Sequence, residues 1–231
     1  MNEVFRQEKK YMITLPRMYA LRSQMRHIMQ EDQHNGTEGY VIRSLYFDST
    51  DDRDYTEKED GVEVRRKIRL RVYGADSSFA SLEMKQKQGQ YQKKRSLRLT
   101  KEDACALINR NFEVLLQKDN PFANECFYVM CQHVYRPVCI VSYRRTAFIA
   151  KENNIRITFD SMLQGTESAT GLFDGRLNEN PILDPYLAVI EVKYNGFLPA
   201  YIKEALKGLN ESERAVSKFF AGRSVIKRAL L

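Results

Sequence analysis

The fold is decided by the stretch Arg65-Arg66-Lys67-Ile68-Arg69-Leu70-Arg71-Val72-Tyr73. Side chains alternate between the two faces of a β-strand. A strand here would carry four cations and Tyr73 on one face, and Ile68, Leu70 and Val72 on the other. Four neighbouring cations repel one another unless water or an anion separates them. The apolar face is therefore predicted to enter a core, and the charged face needs water or an anion.

The same alternation of charged and apolar residues returns in seven other segments. Their charged or polar faces comprise Arg6, Glu8, Lys10; Ser44, Tyr46, Asp48; Glu83, Lys85, Lys87; Lys94, Ser96, Arg98; Tyr143, Arg145; Arg156, Thr158, Asp160; and Glu191, Lys193. Such repetition is typical of a sheet in which each strand has one buried face. The chain is therefore expected to be rich in antiparallel strands.

Two interpretations of the charged faces are possible. On alternation alone, a sheet with its charged face in solvent and its apolar face on a core is the simpler one. However, these faces together with Lys218 hold fourteen basic and five acidic residues, a net +9 against +7 for the whole chain. Such a bias favours a closed antiparallel β-barrel whose charged interior is neutralised by a polyanion or ordered water and whose apolar faces are covered by helices.

Length and composition predict one globular domain over residues 1–231, since 43% of its residues are hydrophobic and 29% are charged. The sequence has no run of eighteen apolar residues, and its first eleven residues do not resemble a signal peptide. Neither its four cysteines nor its three histidines have the spacing of a metal site. A cytoplasmic location is expected, and the pI near 9.2 suits an anionic partner.

Periodicity predicts strands at residues 6–13, 40–48, 61–73, 81–87, 92–99, 138–150, 155–160 and 186–194. Helices are predicted at residues 16–30, 100–110, 121–132, 199–206 and 211–222. Thr100 and Asp103 have the spacing of a capping box. Residues 50–60 are predicted to be a polar loop, and residues 161–184 either a flap over a site or a solvated excursion.

Nine short motifs follow one another along the chain. They are Glu8-Lys9-Lys10-Tyr11, Ser44-Leu45-Tyr46-Phe47-Asp48, Lys67-Ile68-Arg69-Leu70-Arg71-Val72-Tyr73-Gly74, Glu83-Met84-Lys85, Lys93-Lys94-Arg95, Tyr143-Arg144-Arg145-Thr146-Ala147-Phe148, Ile155-Arg156-Ile157-Thr158-Phe159-Asp160, Glu191-Val192-Lys193-Tyr194 and Ser217-Lys218-Phe219. Together and in this order they resemble the VTC (vacuolar transporter chaperone) polyphosphate polymerase domain of the CYTH-like triphosphate tunnel metalloenzymes. Each motif alone is weak, but the set spans nearly the whole chain.

This resemblance implies an α+β fold with a closed eight-stranded antiparallel tunnel that binds ATP and inorganic polyphosphate. It implies Mn²⁺ or Mg²⁺ as cofactor, held by Glu191. The implied phosphate-binding residues are Lys10, Arg69, Arg71, Lys85, Lys94, Tyr143, Arg145, Arg156, Lys193 and Lys218. The implied catalytic residues are Glu191, Lys218, Arg69 and Arg71. Glu8, Glu83 and Asp160 are possible helpers of the metal, although salt bridges that space the arginines are the favoured interpretation for these three.

The chain departs from the family in two respects. The tunnel superfamily often has Glu-x-Glu-x-Lys in its first strand, whereas this sequence has Arg6-x-Glu8-x-Lys10. The loss of one carboxylate favours the polymerase branch over a hydrolase. The sequence also contains neither the membrane helices nor the regulatory domain of the eukaryotic members, so a free-standing, bacterial-type protein is expected.

Four functions remain open once this resemblance is considered. The first is transfer of the γ-phosphate of ATP onto polyphosphate, with release of ADP. The second is a tripolyphosphatase or nucleoside triphosphatase, and the third is a module that binds polyphosphate or inositol polyphosphates without turnover. Single-stranded nucleic acid is the fourth and least favoured, because the sequence has no RNP motif and no tryptophan. A P-loop kinase is excluded, since no Gly-Lys dipeptide is present.

Overall fold

The computed structural model describes residues 6–89, 91–209 and 217–229. Its strands are β1 (Arg6–Thr14), β2 (Gln30–Glu31), β3 (Tyr40–Ser49), β4 (Val64–Val72), β5 (Phe79–Gln88), β6 (Tyr91–Thr100), β7 (Tyr135–Ala150), β8 (Ile155–Thr166), β9 (Asn180–Pro181) and β10 (Leu187–Asn195). Its α-helices are α1 (Leu15–Ile28), α2 (Arg53–Glu59), α3 (Lys101–Ile108), α4 (Pro121–Gln132), α5 (Ala200–Ala205) and α6 (Lys218–Ala229). Two 3₁₀ helices cover Phe112–Lys118 and Glu152–Asn154.

The strands form a large antiparallel sheet with the hydrogen-bonded order β1-β10-β8-β7-β3-β4-β5-β6, while β2 pairs with β7 and β9 with β8. The α+β class is confirmed. The expected closed eight-stranded barrel is wrong, because within the described ranges no pairing joins β6 to β1. Alternation specifies which face of a strand is charged, but not whether the outermost strands pair. Most of β6 is exposed, and its Lys93, Lys94 and Arg95 protect an open edge against pairing with another chain.

The chain forms two compact units, each made of three segments. Unit 1 comprises residues 1–41, 143–163 and 183–217, and unit 2 comprises residues 42–142, 164–182 and 218–231. Strands β3, β7 and β8 each contribute residues to both units. The prediction of one domain over residues 1–231 stays a prediction.

The core of unit 1 is built from the apolar faces of β1, β8 and β10 and from helices α1 and α5. Tyr11 and Ile13 alternate with charged residues in β1, and Ile190 and Val192 do so in β10. Helix α1 begins at Leu15, with Pro16 in its first turn, and buries Met18, Leu21 and Met25 against these strands. The alternate residues of the strands consequently carry their charges on the other face of the sheet.

The core of unit 2 lies between the apolar faces of β3 to β6 and the helices α3 and α4. Its strands bury alternate aliphatic residues, of which Ile68, Leu70 and Leu82 are fully enclosed. The predicted capping box is confirmed, since the Thr100 hydroxyl accepts the backbone N–H of Asp103. The irregular segment after β8 also enters this core, because Leu172 is fully buried there. This part of the segment therefore packs on the apolar face rather than lying free in solvent.

Several boundaries differ from the predictions, as for β4, which begins at Val64 instead of residue 61, and β7, which begins at Tyr135 instead of residue 138. Residues 53–59 form α2 instead of a polar loop. Strand β8 continues to Thr166, six residues beyond its predicted end at residue 160. The first part of the predicted last helix at 211–222, residues 211–216, lies outside the described residues, while α6 begins at Lys218.

The buried carboxylate of Asp48 stabilises the start of helix α2, because it accepts hydrogen bonds from backbone N–H groups there. Asp48 Oδ1 accepts the N–H groups of Ser49 and Asp54, each at 2.8 Å, and Oδ2 accepts that of Tyr55 at 3.1 Å. The first N–H groups of a helix have no partner within the helix, so a carboxylate here satisfies them. Asp48 therefore has a structural role at the end of β3.

The neighbouring Asp54 makes stability dependent on pH. Burial, together with the charge of Asp48, raises the pKa of Asp54 from 3.8 to about 8, while the Tyr135 hydroxyl donates to its Oδ1 at 2.9 Å. In the unfolded chain this carboxyl ionises near 3.8, so its contribution to stability is fully present below that pH and is lost as the pH rises through about 8.

We expect Asp54→Asn to flatten this decline of the unfolding free energy with pH, measured by urea unfolding between about pH 4 and pH 8. Asp60→Asn, at an exposed carboxylate after α2, is the control and should keep the wild-type slope; an unchanged slope in Asp54→Asn would contradict the assignment.

Candidate anion-binding faces

The register of β3 to β6 places the polar side chains of unit 2 in rows across the sheet. We call this surface the basic face. It comprises Ser44, Tyr46, Arg65, Lys67, Arg69, Arg71, Ser81, Glu83, Lys85, Lys87, Gln92, Lys94, Ser96 and Arg98. Eight of these residues are basic and only Glu83 is acidic. The alternation read from the sequence is thus reproduced across four adjacent strands.

Glu83 forms ion pairs with three of these cations. Its Oε2 lies 2.7 Å from Arg69 Nη2, and its Oε1 lies 2.8 Å from Lys94 Nζ and 3.3 Å from Arg71 Nη1. Burial raises the pKa of Glu83, but the charges of Arg69 and Lys94 outweigh it and hold that pKa below its ordinary value. Both carboxylate oxygens are committed to cations. Glu83 therefore fixes the positions of Arg69, Arg71 and Lys94, as the salt-bridge interpretation anticipated.

The next row of the basic face consists of lysines alone. Lys67, Lys85 and Lys94 lie directly opposite one another on three adjacent strands. Neighbouring strands are about 4.8 Å apart, and like charges placed directly opposite destabilise a sheet. Glu83 offsets the charge of Lys94 in part. Three basic residues side by side on adjacent strands are nevertheless well placed to contact a multivalent anion, which makes this row an indication of an anion-binding surface in unit 2.

Aromatic residues border the same rows. Arg69 Nη1 donates to the Tyr46 hydroxyl at 3.1 Å, and the Tyr46 ring centroid lies 5.2 Å from that of Phe219. Lys67 Nζ lies 5.5 Å from the centre of the Phe219 ring, a cation–π contact. Helix α6 therefore begins beside the basic face, and its first residue is Lys218. Lys218 is accordingly next to a residue that touches this face.

In unit 1, the charged faces of β1, β10 and β8 carry residues of both signs. We call this surface the mixed face; it comprises Glu8, Lys10, Arg156, Thr158, Asp160, Glu191 and Lys193. Lys193 Nζ lies 3.1 Å from Glu191 and 3.9 Å from Glu8, while Lys10 Nζ lies 3.6 Å from Glu191 and 3.2 Å from Glu8. Each lysine therefore lies between the same two carboxylates. The structure brings the predicted residues Lys10, Glu191 and Lys193 together.

Arg145 and Asp160 form a buried bidentate pair in unit 1. Arg145 Nε donates to Asp160 Oδ1 at 2.6 Å, and Nη2 donates to Oδ2 at 2.7 Å. Burial lowers the pKa of Arg145, but the carboxylate of Asp160 outweighs it and the pKa lies well above its ordinary value. The Arg145 guanidinium also lies 5.3 Å from the centre of the buried Tyr143 ring. Asp160 has no exposed surface, and each of its carboxylate oxygens accepts a hydrogen bond from Arg145.

Arg156 is held by residues that the sequence did not single out. Its Nη2 donates to Asp32 Oδ2 at 2.9 Å and to the Tyr40 hydroxyl at 3.3 Å. Asp32 in turn accepts His34 Nδ1 at 2.8 Å. Asp32 follows the two-residue strand β2, and Tyr40 is the first residue of β3. Neither residue lies on one of the charged faces predicted from the sequence. Only the fold brings them to Arg156.

The predicted site residues thus divide between the units. Unit 1 holds Lys10, Tyr143, Arg145, Arg156, Glu191 and Lys193. Unit 2 holds Arg69, Arg71, Lys85, Lys94 and Lys218. Within unit 2 all of them except Lys218 share the basic face. Their roles stay predictions.

A divalent cation fits the mixed face only with help from a ligand. The described residues contain no group of three His, Cys, Asp or Glu side chains that could hold a metal. Glu191 and Glu8 offer two carboxylates, and Mg²⁺ is commonly held by one or two carboxylates together with substrate phosphates. The donor set is made of hard oxygens, as Mg²⁺ and Mn²⁺ prefer. These residues therefore fit a metal that arrives with phosphate oxygens.

Comparison with known proteins identifies the relatives of this fold. A family model of the VTC domain matches residues 5–227. A Hippeastrum protein assigned as an adenylyl cyclase, whose dominant activity is that of a triphosphatase, has a similar structure, with a TM-score of 0.58, 13% identity and 96% of both chains covered. A Bacillus halodurans protein assigned as an adenylate cyclase gives a TM-score of 0.52 at 14% identity, covering 91% of this chain and 92% of that one. No curated protein sequence matches. No helix in the described ranges is both long and apolar enough to cross a membrane.

Proposed function

The chain belongs to the VTC domain family, and on this basis we propose that it is a polyphosphate polymerase that transfers the γ-phosphate of ATP to inorganic polyphosphate. The observation that carries the proposal is the basic face of unit 2, where eight cations accompany a single carboxylate. Guanidinium groups bind phosphate oxygens in pairs, and lysines add compact positive charge. A chain of phosphates is a ligand of matching sign and shape.

The reaction asks the protein mainly for positioning and charge stabilisation. A terminal oxygen of polyphosphate attacks the γ-phosphorus of ATP, the bond from that phosphorus to the β,γ-bridging oxygen breaks, and ADP leaves. Arg69, Arg71, Lys85 and Lys94 hold phosphate oxygens, and Lys218 adds charge at the start of α6. Because Glu83 fixes Arg69 and Arg71 before any ligand binds, little rearrangement is needed during transfer.

The residues of unit 1 have roles of their own in this proposal. Glu191, with Glu8 beside it, would hold Mn²⁺ or Mg²⁺, and the bound ion would offset negative charge on phosphate oxygens. Lys10, Lys193 and Arg156 bind phosphate oxygens. Asp160 holds Arg145 beside Tyr143. Only the guanidinium nitrogens of Arg145 that do not donate to Asp160 can therefore bind phosphate.

A triphosphatase is the second candidate, favoured by the activity of the Hippeastrum protein. It would use the same charged residues with water as the nucleophile. One assay separates the candidates: the protein is incubated with ATP and Mn²⁺, and its products are resolved by size. Long polyphosphate supports the polymerase, whereas release of free phosphate alone supports the hydrolase. Tight binding of polyphosphate without turnover would support a binding module and overturn both enzymes.

Removing one guanidinium group from the basic face should weaken phosphate binding. We expect Arg69→Ala or Arg71→Ala to raise the Kd for tripolyphosphate by about tenfold to a hundredfold, because each charged hydrogen bond contributes roughly 1.5–3 kcal/mol. Isothermal titration calorimetry measures this change. Arg144→Ala is the control, since Arg144 belongs to unit 1 and pairs with the exposed Glu38. Equal affinities in all three variants would contradict the role of this face.

A further inference from the structure

The irregular segment between β2 and β3 is fastened to strand β7. The backbone N–H of Asp32 and the side-chain amide of Asn35 both donate to the Ala147 carbonyl, at 2.9 and 2.8 Å. The N–H of Ala147 donates back to Asn35 Oδ1 at 2.9 Å. Gly39 has a φ of 89° and approaches β7 so closely that a Cβ there would collide with the Arg145 carbonyl. The segment therefore has a fixed position beside β7.

This segment presents the ring of His34 to solvent in a fixed orientation. Asp32 Oδ1 accepts both the backbone N–H of His34, at 3.1 Å, and its ring Nδ1, at 2.8 Å. Asp32 is itself buried, whereas 68% of the His34 side chain is exposed. Holding a mobile side chain in one rotamer costs entropy when a ligand binds. A ring that is already held by a buried carboxylate needs little further ordering.

Tyr40 forms a corner with the His34 ring. The two ring centroids lie 6.4 Å apart, and the ring planes are inclined at 70°. A flat ligand that lies parallel to His34 is therefore steeply inclined to Tyr40. Aromatic rings favour offset-stacked and edge-to-face contacts, and one flat ring in this corner can make both. The corner has the geometry to bind a planar aromatic group.

The corner adjoins Arg156, which binds phosphate oxygens in the proposed function. Arg156 Nη2 donates to Asp32 Oδ2 at 2.9 Å and to the Tyr40 hydroxyl at 3.3 Å, so one carboxylate separates the guanidinium group from the His34 ring. The Arg156 side chain remains 38% exposed. A nucleoside triphosphate carries a flat base and phosphates a short distance apart, because one ribose joins them. Inorganic polyphosphate has no such ring.

We propose that His34 and Tyr40 form a nucleobase subsite in which the base of ATP stacks on His34 while Arg156 binds a phosphate oxygen. The inference rests on one part of the proposed function, that ATP is a ligand, and extends it from the phosphates to the base. Asp32 is a positioning residue, because it holds both the His34 ring and the Arg156 guanidinium group. The subsite favours nucleoside triphosphates over inorganic triphosphate, a preference that phosphate contacts alone do not provide.

The test compares ATP with tripolyphosphate, which lacks the nucleoside. We expect His34→Ala to raise the Kd for ATP by about fivefold to a hundredfold, the range expected when one base–aromatic stack is lost, and to leave the Kd for tripolyphosphate unchanged. His34→Phe keeps a ring and should bind ATP about as tightly as the wild-type protein. His27→Ala is the matched control, because His27 is an exposed histidine of the same unit whose ring donates to the Ser23 carbonyl of its own helix. Calorimetric titrations at one ionic strength, without divalent metal, measure these values.

The outcomes separate this inference from the proposed function. If His34→Ala weakens ATP binding no more than His27→Ala does, or weakens tripolyphosphate binding equally, the subsite is overturned while the proposed function stands. Equal losses in His34→Phe and His34→Ala would also overturn it, because the ring would then contribute nothing. Selective loss of ATP affinity in His34→Ala, in a protein that makes no polyphosphate, would support the subsite and overturn the polymerase. If the wild-type protein binds neither ligand, both are overturned.

Discussion

Replacing Glu191 with Gln is expected to lower metal-dependent turnover of ATP by at least about a hundredfold, in line with the loss of one preorganised electrostatic group. Glutamine keeps the size of the side chain but removes the negative charge that a divalent cation requires. The change also takes a carboxylate away from Lys10 and Lys193, which lie 3.6 and 3.1 Å from it. Tripolyphosphate binding should therefore persist or become tighter, because the mixed face becomes more positive.

Two measurements check this result: the rate of ADP release with Mn²⁺, and the Kd for tripolyphosphate without metal. Glu204→Gln is the matched control, since Glu204 is an exposed residue of α5 that pairs only weakly with Lys207 at the surface. Glu8→Gln should cause a smaller loss than Glu191→Gln, because Glu8 is the more exposed of the two carboxylates. Full activity in Glu191→Gln would remove Glu191 from the metal site.

Replacing Asp160 with Asn is expected to destabilise the protein by about 3–5 kcal/mol, because the buried Arg145 would lose its charged partner. For a chain of this size, such a loss lowers Tm by roughly 6–20 °C. Thermal unfolding followed by circular dichroism measures the change. Glu38→Gln is the control: it breaks the exposed pair with Arg144, and less than about 1 kcal/mol should be lost.

A second variant separates the structural role of the Arg145–Asp160 pair from any role of Arg145 in phosphate binding. Arg145→Met combined with Asp160→Leu removes both charges, and replacing a buried ion pair by apolar residues of similar volume is often neutral or stabilising. We expect this double variant to recover most of the Tm lost in Asp160→Asn. If Arg145 also binds phosphate, turnover stays low despite the recovered Tm. Recovery of both would show that the pair is purely structural.

The sequence predicts the charged faces well because a strand has a period of two. Residues 65–71 were expected to place four cations on one face, and the register of β4 with β5 and β6 confirms that placement. Gly74 follows β4 and Gly89 lies between β5 and β6, and both have positive φ values, 97° and 57°, which glycine adopts readily. Local geometry determines all of these features.

Features that depend on pairing between distant segments were not predictable in this way. Glu8 meets Lys193 only because β1 pairs with β10, and no pattern within either strand specifies that register. Helix α2 was missed because most of its residues are polar and show no apolar period. It is stabilised by Asp48, which precedes the helix and accepts its first N–H groups, and by burial of its own Tyr55. The open edges of the sheet escaped prediction for the same reason, since closure is a property of strands far apart in the chain.

The lysine row also bears on how this protein would discriminate among anions of equal total charge. Lys67, Lys85 and Lys94 start from backbone positions about 4.8 Å apart on three adjacent strands, and Lys94 Nζ also pairs with Glu83. A ligand with closely spaced negative charges can contact all three lysines at once, whereas a ligand with widely spaced charges reaches fewer of them. We therefore expect charge density per unit length, rather than net charge, to determine which anions bind to Lys67, Lys85 and Lys94.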